Sequence, residues 1–297
     1  MNAIMLENFV TIKDIKPVLC GYIREARFKF DPDEIPDENV VHEVRVLMKK
    51  TRASIRLLES QMDKETFAME YSSLREVGRI MRSWRETSVH RKLLKSLKRK
   101  YPKLFSSLSG NEKINALLSK QDIDSGLLQQ MKADIVKIMD ILHKSGYRWR
   151  FRSINDLDNY LLFTELQKTY SKVSVSYLKA RIYPVSENLH EFRKKAKDFL
   201  YQLYFFRSVK PKVIKALEMR LDTIAQNLGK YNDHAVLIKS LGYKFQQKEN
   251  NIALDELIVL IKEEQDRFLT RVWPSAFRIF RPGRTLVDVL GIKVLLI

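Results

Sequence analysis

The sequence predicts an all-α protein, and three observations carry that expectation. Glycine and proline number only 9 and 8 in 297 residues, so long runs are free of both. Within those runs apolar residues recur at steps of three and four, the spacing of one helix face. One helical stretch also recurs about half a chain later, followed by a second matching stretch. A hydrophobic fraction of 45% supplies a core and excludes the disordered class.

Charge narrows the function. The formal net charge is +18 and the isoelectric point about 9.8. Such an excess repels itself in the folded state, and an anionic partner offsets the repulsion. Nucleic acid, an acidic membrane surface and a polyanion such as polyphosphate fit. The single cysteine, Cys20, excludes a disulfide framework or a cysteine metal cluster. The opening MNAIMLENFV lacks a basic segment followed by an apolar one, and no stretch reaches the length of a membrane span, so a cytoplasmic location is expected.

The elements follow in order. Residues 11–27 read as a helix with Pro17 near its start, and residues 30–38 (FDPDEIPDE) as a loop. Asp37 is placed to cap the next helix, and Glu38 to meet its N-terminal dipole. That helix, running to about residue 62, carries His42, Arg45, Lys49, Arg52 and Arg56 at steps of three and four, hence on one stripe. Its apolar face is Val44, Leu47, Met48, Ile55 and Leu58. The stripe lies roughly 120–130° from that face, beside the buried side rather than on the solvated back.

Residues 64–100 read as a second helical region, broken near Gly78 or at 84–88. Its Arg75, Arg79 and Arg82 make another stripe, opposite Val77, Met81 and Trp84, which reads as a solvated face for Arg75 and Arg79. Residues 91–103 (RKLLKSLKRKYPK) hold seven basic residues and no acid: a solvated helix end, or a patch for phosphates or a membrane surface. A turn is expected at 101–110, then helices at 112–119 and 126–144, the latter capped by Gly146. The alternation YRWRFR at 147–152 is read as a connector, with stacking on the bases of a single-stranded nucleic acid as the alternative. Helices are then expected at 155–183, from 186 or 187 to 208, at 212–228, 232–241 and 253–272. Pro184 and Pro274 are the expected stops, and an irregular tail with at most a short helix closes the chain, its apolar residues 294–297 packed on the domain.

The repeat brings the halves together. His42, Glu43, Arg45 and Lys49 match His190, Glu191, Arg193 and Lys197 at an offset of 148 positions. The apolar face beside the second set is Phe192, Ala196, Phe199, Leu203 and Phe206. At an offset of 147, LREVGRIMRSWRETSV (residues 74–89) aligns without gaps on LDTIAQNLGKYNDHAV (residues 221–236). Two matches in the same order argue for an internal duplication. They predict one domain over residues 1–297, with repeats at about 11–150 and 151–285, built as helical bundles related by a pseudo-two-fold axis. The two H-x-x-R-x-x-x-K helices would then meet at a shared surface and pool their cations.

At these residues the chain resembles the CHAD family, the conserved histidine α-helical domain. VHEVRVLMKKTRASIRLL and LHEFRKKAKDFLYQLYFF are similar to that family's two signature helices, and RETSV and YNDHAV to its turns. The resemblance implies a pair of four-helix bundles around a basic pocket or pore. It further implies binding of inorganic polyphosphate without catalysis, in a stand-alone protein. Polyphosphate granules and polyphosphate-metabolising proteins are the partners it brings. The implied site is His42, Arg45, Lys49, Arg52, Arg56, Arg82, Arg85, His190, Arg193, Lys194 and Lys197. Leu200 departs from the pattern where an arginine is common, Tyr204 where a glutamate is, and Ser88 where an acid is.

The chemistry agrees with that expectation. A phosphate chain needs a row of guanidinium and ammonium groups, and arginine offers paired donors. No metal site is expected, because neither histidine has a second His, Asp or Glu three or four positions on: Arg45 and Val46 stand there after His42, and Arg193 and Lys194 after His190. No cofactor is expected, and no catalytic residues: a glycine-rich phosphate loop, G-x-S-x-G and H-E-x-x-H are all absent from the sequence. The alternative is a basic module binding nucleic acid, an acidic protein or a granule surface, although no helix-turn-helix, RRM or zinc-finger pattern is present.

Overall fold

The structure, a computed structural model, describes residues 12–31, 34–82, 84, 86–119, 125–152, 158–242 and 252–292. Among these every regular element is a helix. The first group is α1 (Ile12–Phe28), α2 (Glu38–Leu57), α3 (Lys64–Ile80) and α7 (Ser125–Phe151). They pack in a ring: α1 on α2, α2 on α3, α3 on α7, and α7 back on α1. The second group, α8 (Asn159–Ile182), α9 (Ser186–Leu203), α10 (Pro211–Ser240) and α11 (Ile252–Phe280), repeats that order of contacts. α2 and α9 join the rings. One core runs through both groups, from Val44, Leu47 and Ile55 of α2 to Phe192, Phe199 and Leu203 of α9.

Three shorter helices, α4 (Glu86–Lys100), α5 (Pro102–Ser107) and α6 (Glu112–Leu118), lie between α3 and α7 in sequence. Their apolar residues Leu94, Leu97, Phe105 and Ile114 form a second core with Leu237, Leu241, Leu257 and Ile261 of the other half. A final helix, α12 (Leu286–Leu290), starts on a reciprocal capping box between Thr285 and Asp288 and ends on Gly291, whose φ of 61° is the left-handed conformation that glycine adopts without strain. Tyr170 ties this tail to α8 by sharing its one O–H between the Ile279 and Arg284 carbonyls, at 2.9 and 3.0 Å.

Asp37 caps α2 as expected, accepting from the Val40 N–H at 2.7 Å. α2 and α9 end about five residues before their expected ends, each followed by one 3-10 turn, and other elements differ where a local stop signal does not act. Residues 101–110 contain α5, with Pro102 in the first turn, where a missing N–H costs nothing. Gly146 does not end α7; it sits against Ile23 of α1, and fully buried Trp149 carries the helix to Phe151. The helices expected at 212–228 and 232–241 are one continuous α10. Pro274 lies inside α11, which continues because Ala276, Ile279 and Phe280 are buried beyond it. The expected packing of residues 294–297 lies outside the described residues.

Candidate functional site

The stripe on α2 is built by the helix itself. His42 is exposed, while Arg45, Lys49, Arg52 and Arg56 are half-buried, consistent with a stripe beside the apolar face. Arg45 Nη1 donates to the Gly78 carbonyl at 2.8 Å. Gly78 lies in the last turn of α3, whose carbonyls lack helical partners, so Arg45 closes that helix end. A guanidinium has five N–H donors, so holding a carbonyl is compatible with meeting an anion.

The second half copies this contact. Arg193 Nε donates to the Ala225 carbonyl at 3.1 Å. Arg193 matches Arg45 in the repeat, and Ala225 matches Gly78. Gly229 provides the room: a Cβ there would come within 3.2 Å of Arg193 Nε and Nη2.

α2 and α9 meet through their C-terminal halves. Arg56 forms an ion pair with Asp198, and Gln202 Nε2 donates to the Ala53 carbonyl at 3.1 Å. These pairs step in opposite chain directions, so the helices run antiparallel where they touch. His42 and His190 therefore mark the far ends, on the order of 30 Å apart along the pair at 1.5 Å per residue. The two basic sets lie end to end rather than as facing walls.

Tyr71 of α3 organises the centre. Arg56 stacks on its ring at 4.9 Å and donates to its hydroxyl, and Arg52 lies over the same ring at 5.8 Å. Burial works against the charge of Arg56, but Asp198 and Tyr71 outweigh it, so its pKa is raised. Burial lowers the pKa of Arg52, Tyr71 and Asp198 act against this, and the charges of Arg56 and Arg75 lower it further. Arg52 Nε is buried without a hydrogen-bond partner. An anionic oxygen would complete this arrangement and relieve the cation crowding.

The remaining expected residues are placed as follows. His190 Nδ1 donates to Asn232 Oδ1 at 3.1 Å; burial, then Arg193, push its pKa below the ordinary imidazole value. Lys194 is exposed and paired with Glu191 at 2.9 Å, and Lys197 lies over the Tyr201 ring at 5.4 Å. Arg82 is exposed just past α3, and Arg85 lies outside the described residues. Leu200 is buried, and Tyr204 lies under Arg207 at 4.3 Å.

Sequence reasoning missed Tyr71 and assigned Arg75 to a solvated face. Arg75 is exposed, yet its charge reaches Arg52, and the i, i+4 spacing of Tyr71 and Arg75 was the available signal. Arg79 is different: it is held by Glu76 at 2.6 Å, which with Lys137 lowers the Glu76 pKa to about 2. The YRWRFR run is not a connector but the end of α7. Arg148 and Arg152 bind fully buried Glu70, at 2.6 and 3.4 Å. Burial raises the pKa of the Cys20 thiol, which makes it a poor nucleophile. Among the described residues no helix is long and apolar enough to cross a membrane, and no three His, Cys, Asp or Glu side chains gather in a way that could hold a metal.

An all-α fold with a cation row along its two joining helices defines the class. The family profile described as the CHAD domain matches residues 28–242, and the chain belongs to that family. It is also similar to the crystal structure of the CHAD domain from the plant Ricinus communis, with a TM-score of 0.56 and 15% identity, covering 99% of this chain and 96% of that one. At that identity the likeness speaks for the fold. No curated protein matches.

Proposed function

We propose that this chain binds inorganic polyphosphate, without catalysis, along the cations of α2 and α9. The observation that carries this reading is the half-buried Arg52, which shares the Tyr71 ring with Arg56 and is crowded by the charges of Arg56 and Arg75. A guanidinium so placed gains from a polyanion both a hydrogen-bond acceptor and a counter-charge. Membership of the family supports the same ligand. Arg45, Lys49, Arg193 and Lys197 extend the row on either side. A cytoplasmic setting and association with polyphosphate granules or polyphosphate-metabolising proteins belong to this reading. Duplication gives the row its two halves, supported by the matched arginine–carbonyl contacts.

Non-specific attraction would also draw nucleic acid. Competition between long-chain polyphosphate and duplex DNA of equal charge, at about physiological salt, separates the two. The expected result is preference for polyphosphate, weakened by Arg52→Gln with Lys49→Gln far more than by Arg79→Gln. Equal or better DNA binding, or equal losses from the two sets, overturns the proposal.

A further inference from the structure

The cation row does not stop at the start of α2. Glu38, one turn before His42, pairs with Lys92 and, at 3.7 Å, with Arg91 of α4. This contact brings two cations of α4 to the start of the α2 row. Leu94 and Leu97 are buried and fix the orientation of α4. On its other side Lys95, Lys98 and Arg99 are exposed, spaced at three and four from Arg91 and Lys92. With Pro102, Phe105, Ser106 and Ser109 they line an open groove of about 910 Å³.

Residues 91–111 contain no acid. Among the described residues no carboxylate forms an ion pair with Lys95, Lys98 or Arg99, whereas Lys100 turns away to Glu264. The helix dipole rewards cations only in the last turn, so it does not explain Arg91, Lys92 and Lys95. From Arg91 to Arg99 the row adds about 12 Å at 1.5 Å per residue.

We propose that the anion track turns at Glu38 from α2 onto α4 and ends at Lys95, Lys98 and Arg99, so that the protein selects long polyphosphate chains over short ones. The inference rests on the polyphosphate reading above. A short chain reaches only one part of such a track. A long chain engages α2 and α4 together, and the second contact is then made at high effective concentration.

The test compares tripolyphosphate with long-chain polyphosphate by calorimetric titration, for the full chain and for Lys95→Gln with Lys98→Gln and Arg99→Gln. Glutamine keeps the helix propensity of these exposed positions, and circular dichroism checks the fold. Wild type is expected to bind the long chain more tightly. The variant should lose roughly tenfold of that length preference, as three charge-assisted contacts are removed. Its binding of the long chain should also depend less steeply on salt. An unchanged ratio of the two Kd values overturns the α4 track while leaving the polyphosphate reading standing. If wild type binds neither polymer, that reading fails and the track with it.

Discussion

Arg56 and Asp198, 142 positions apart in sequence, form the ion pair that joins α2 to α9. The same guanidinium is shared with Tyr71, so one side chain links three helices of the site. Both partners are partly exposed, with side-chain exposures of 33% and 24%. The pair therefore contributes less than a fully buried one would.

Asp198→Asn is expected to destabilise the fold by about 1–2 kcal/mol, below the cost of breaking a buried pair. It should also tighten polyphosphate binding, because a carboxylate competing for Arg56 is removed. Thermal unfolding and a titration on the same variant check both. If stability and affinity fall together, Asp198 positions Arg56 for the ligand rather than competing with it.

Gly229→Ala separates binding from stability in another way. Alanine gains about 0.5–1 kcal/mol over glycine inside a helix. Its Cβ would meet Arg193 Nε and Nη2 at 3.2 Å, so the guanidinium must shift by a few tenths of an ångström. The expected outcome is equal or higher thermal stability with weaker polyphosphate binding. Unchanged affinity would show that the position of Arg193 does not matter to the ligand.

If polyphosphate binds along α9 as proposed, His190 is expected to give that binding a pH dependence. Its Nδ1 is engaged by Asn232, so protonation adds an Nε2–H donor and a positive charge. Burial and Arg193 hold its folded pKa below the ordinary value, so the free protein carries it neutral at pH 7. A bound polyanion favours the charged form and raises that pKa. Affinity is therefore expected to increase as pH falls from the bound pKa towards the free one, and His190→Gln should abolish that increment. For folding the sign is opposite: the unfolded chain protonates first, so His190 costs stability as pH drops below about 6.5. Polyphosphate titrations between pH 5 and 8, on wild type and variant, measure the first effect.

Much of this was legible in residue spacing. The three-and-four stripe on α2, its apolar face and the Asp37 cap depend on local geometry, which sequence encodes directly. The match between Arg45 and Arg193 was also readable, though not that each would hold a carbonyl of the following helix. What escaped were decisions made by distant contacts. Pro274, Gly146 and Gly229 look like helix ends, yet Phe280, Trp149 and Leu237 are buried beyond them and keep each helix going. The arginines of YRWRFR looked open to a ligand until Glu70, 78 positions before Arg148, proved to hold them. Arg75 is exposed, as its helix face implied; what spacing did not show is that α2 brings Arg52 within reach of its charge.

The second hydrophobic cluster carries a consequence for the unity of the chain. Leu94, Leu97 and Phe105 precede residue 152, while Leu237, Leu257 and Ile261 follow it. A fragment cut at that midpoint would leave each piece with a sticky, water-facing patch that its missing counterpart normally covers. The two halves, so alike in pattern, have traded parts of their interiors, and neither is self-sufficient.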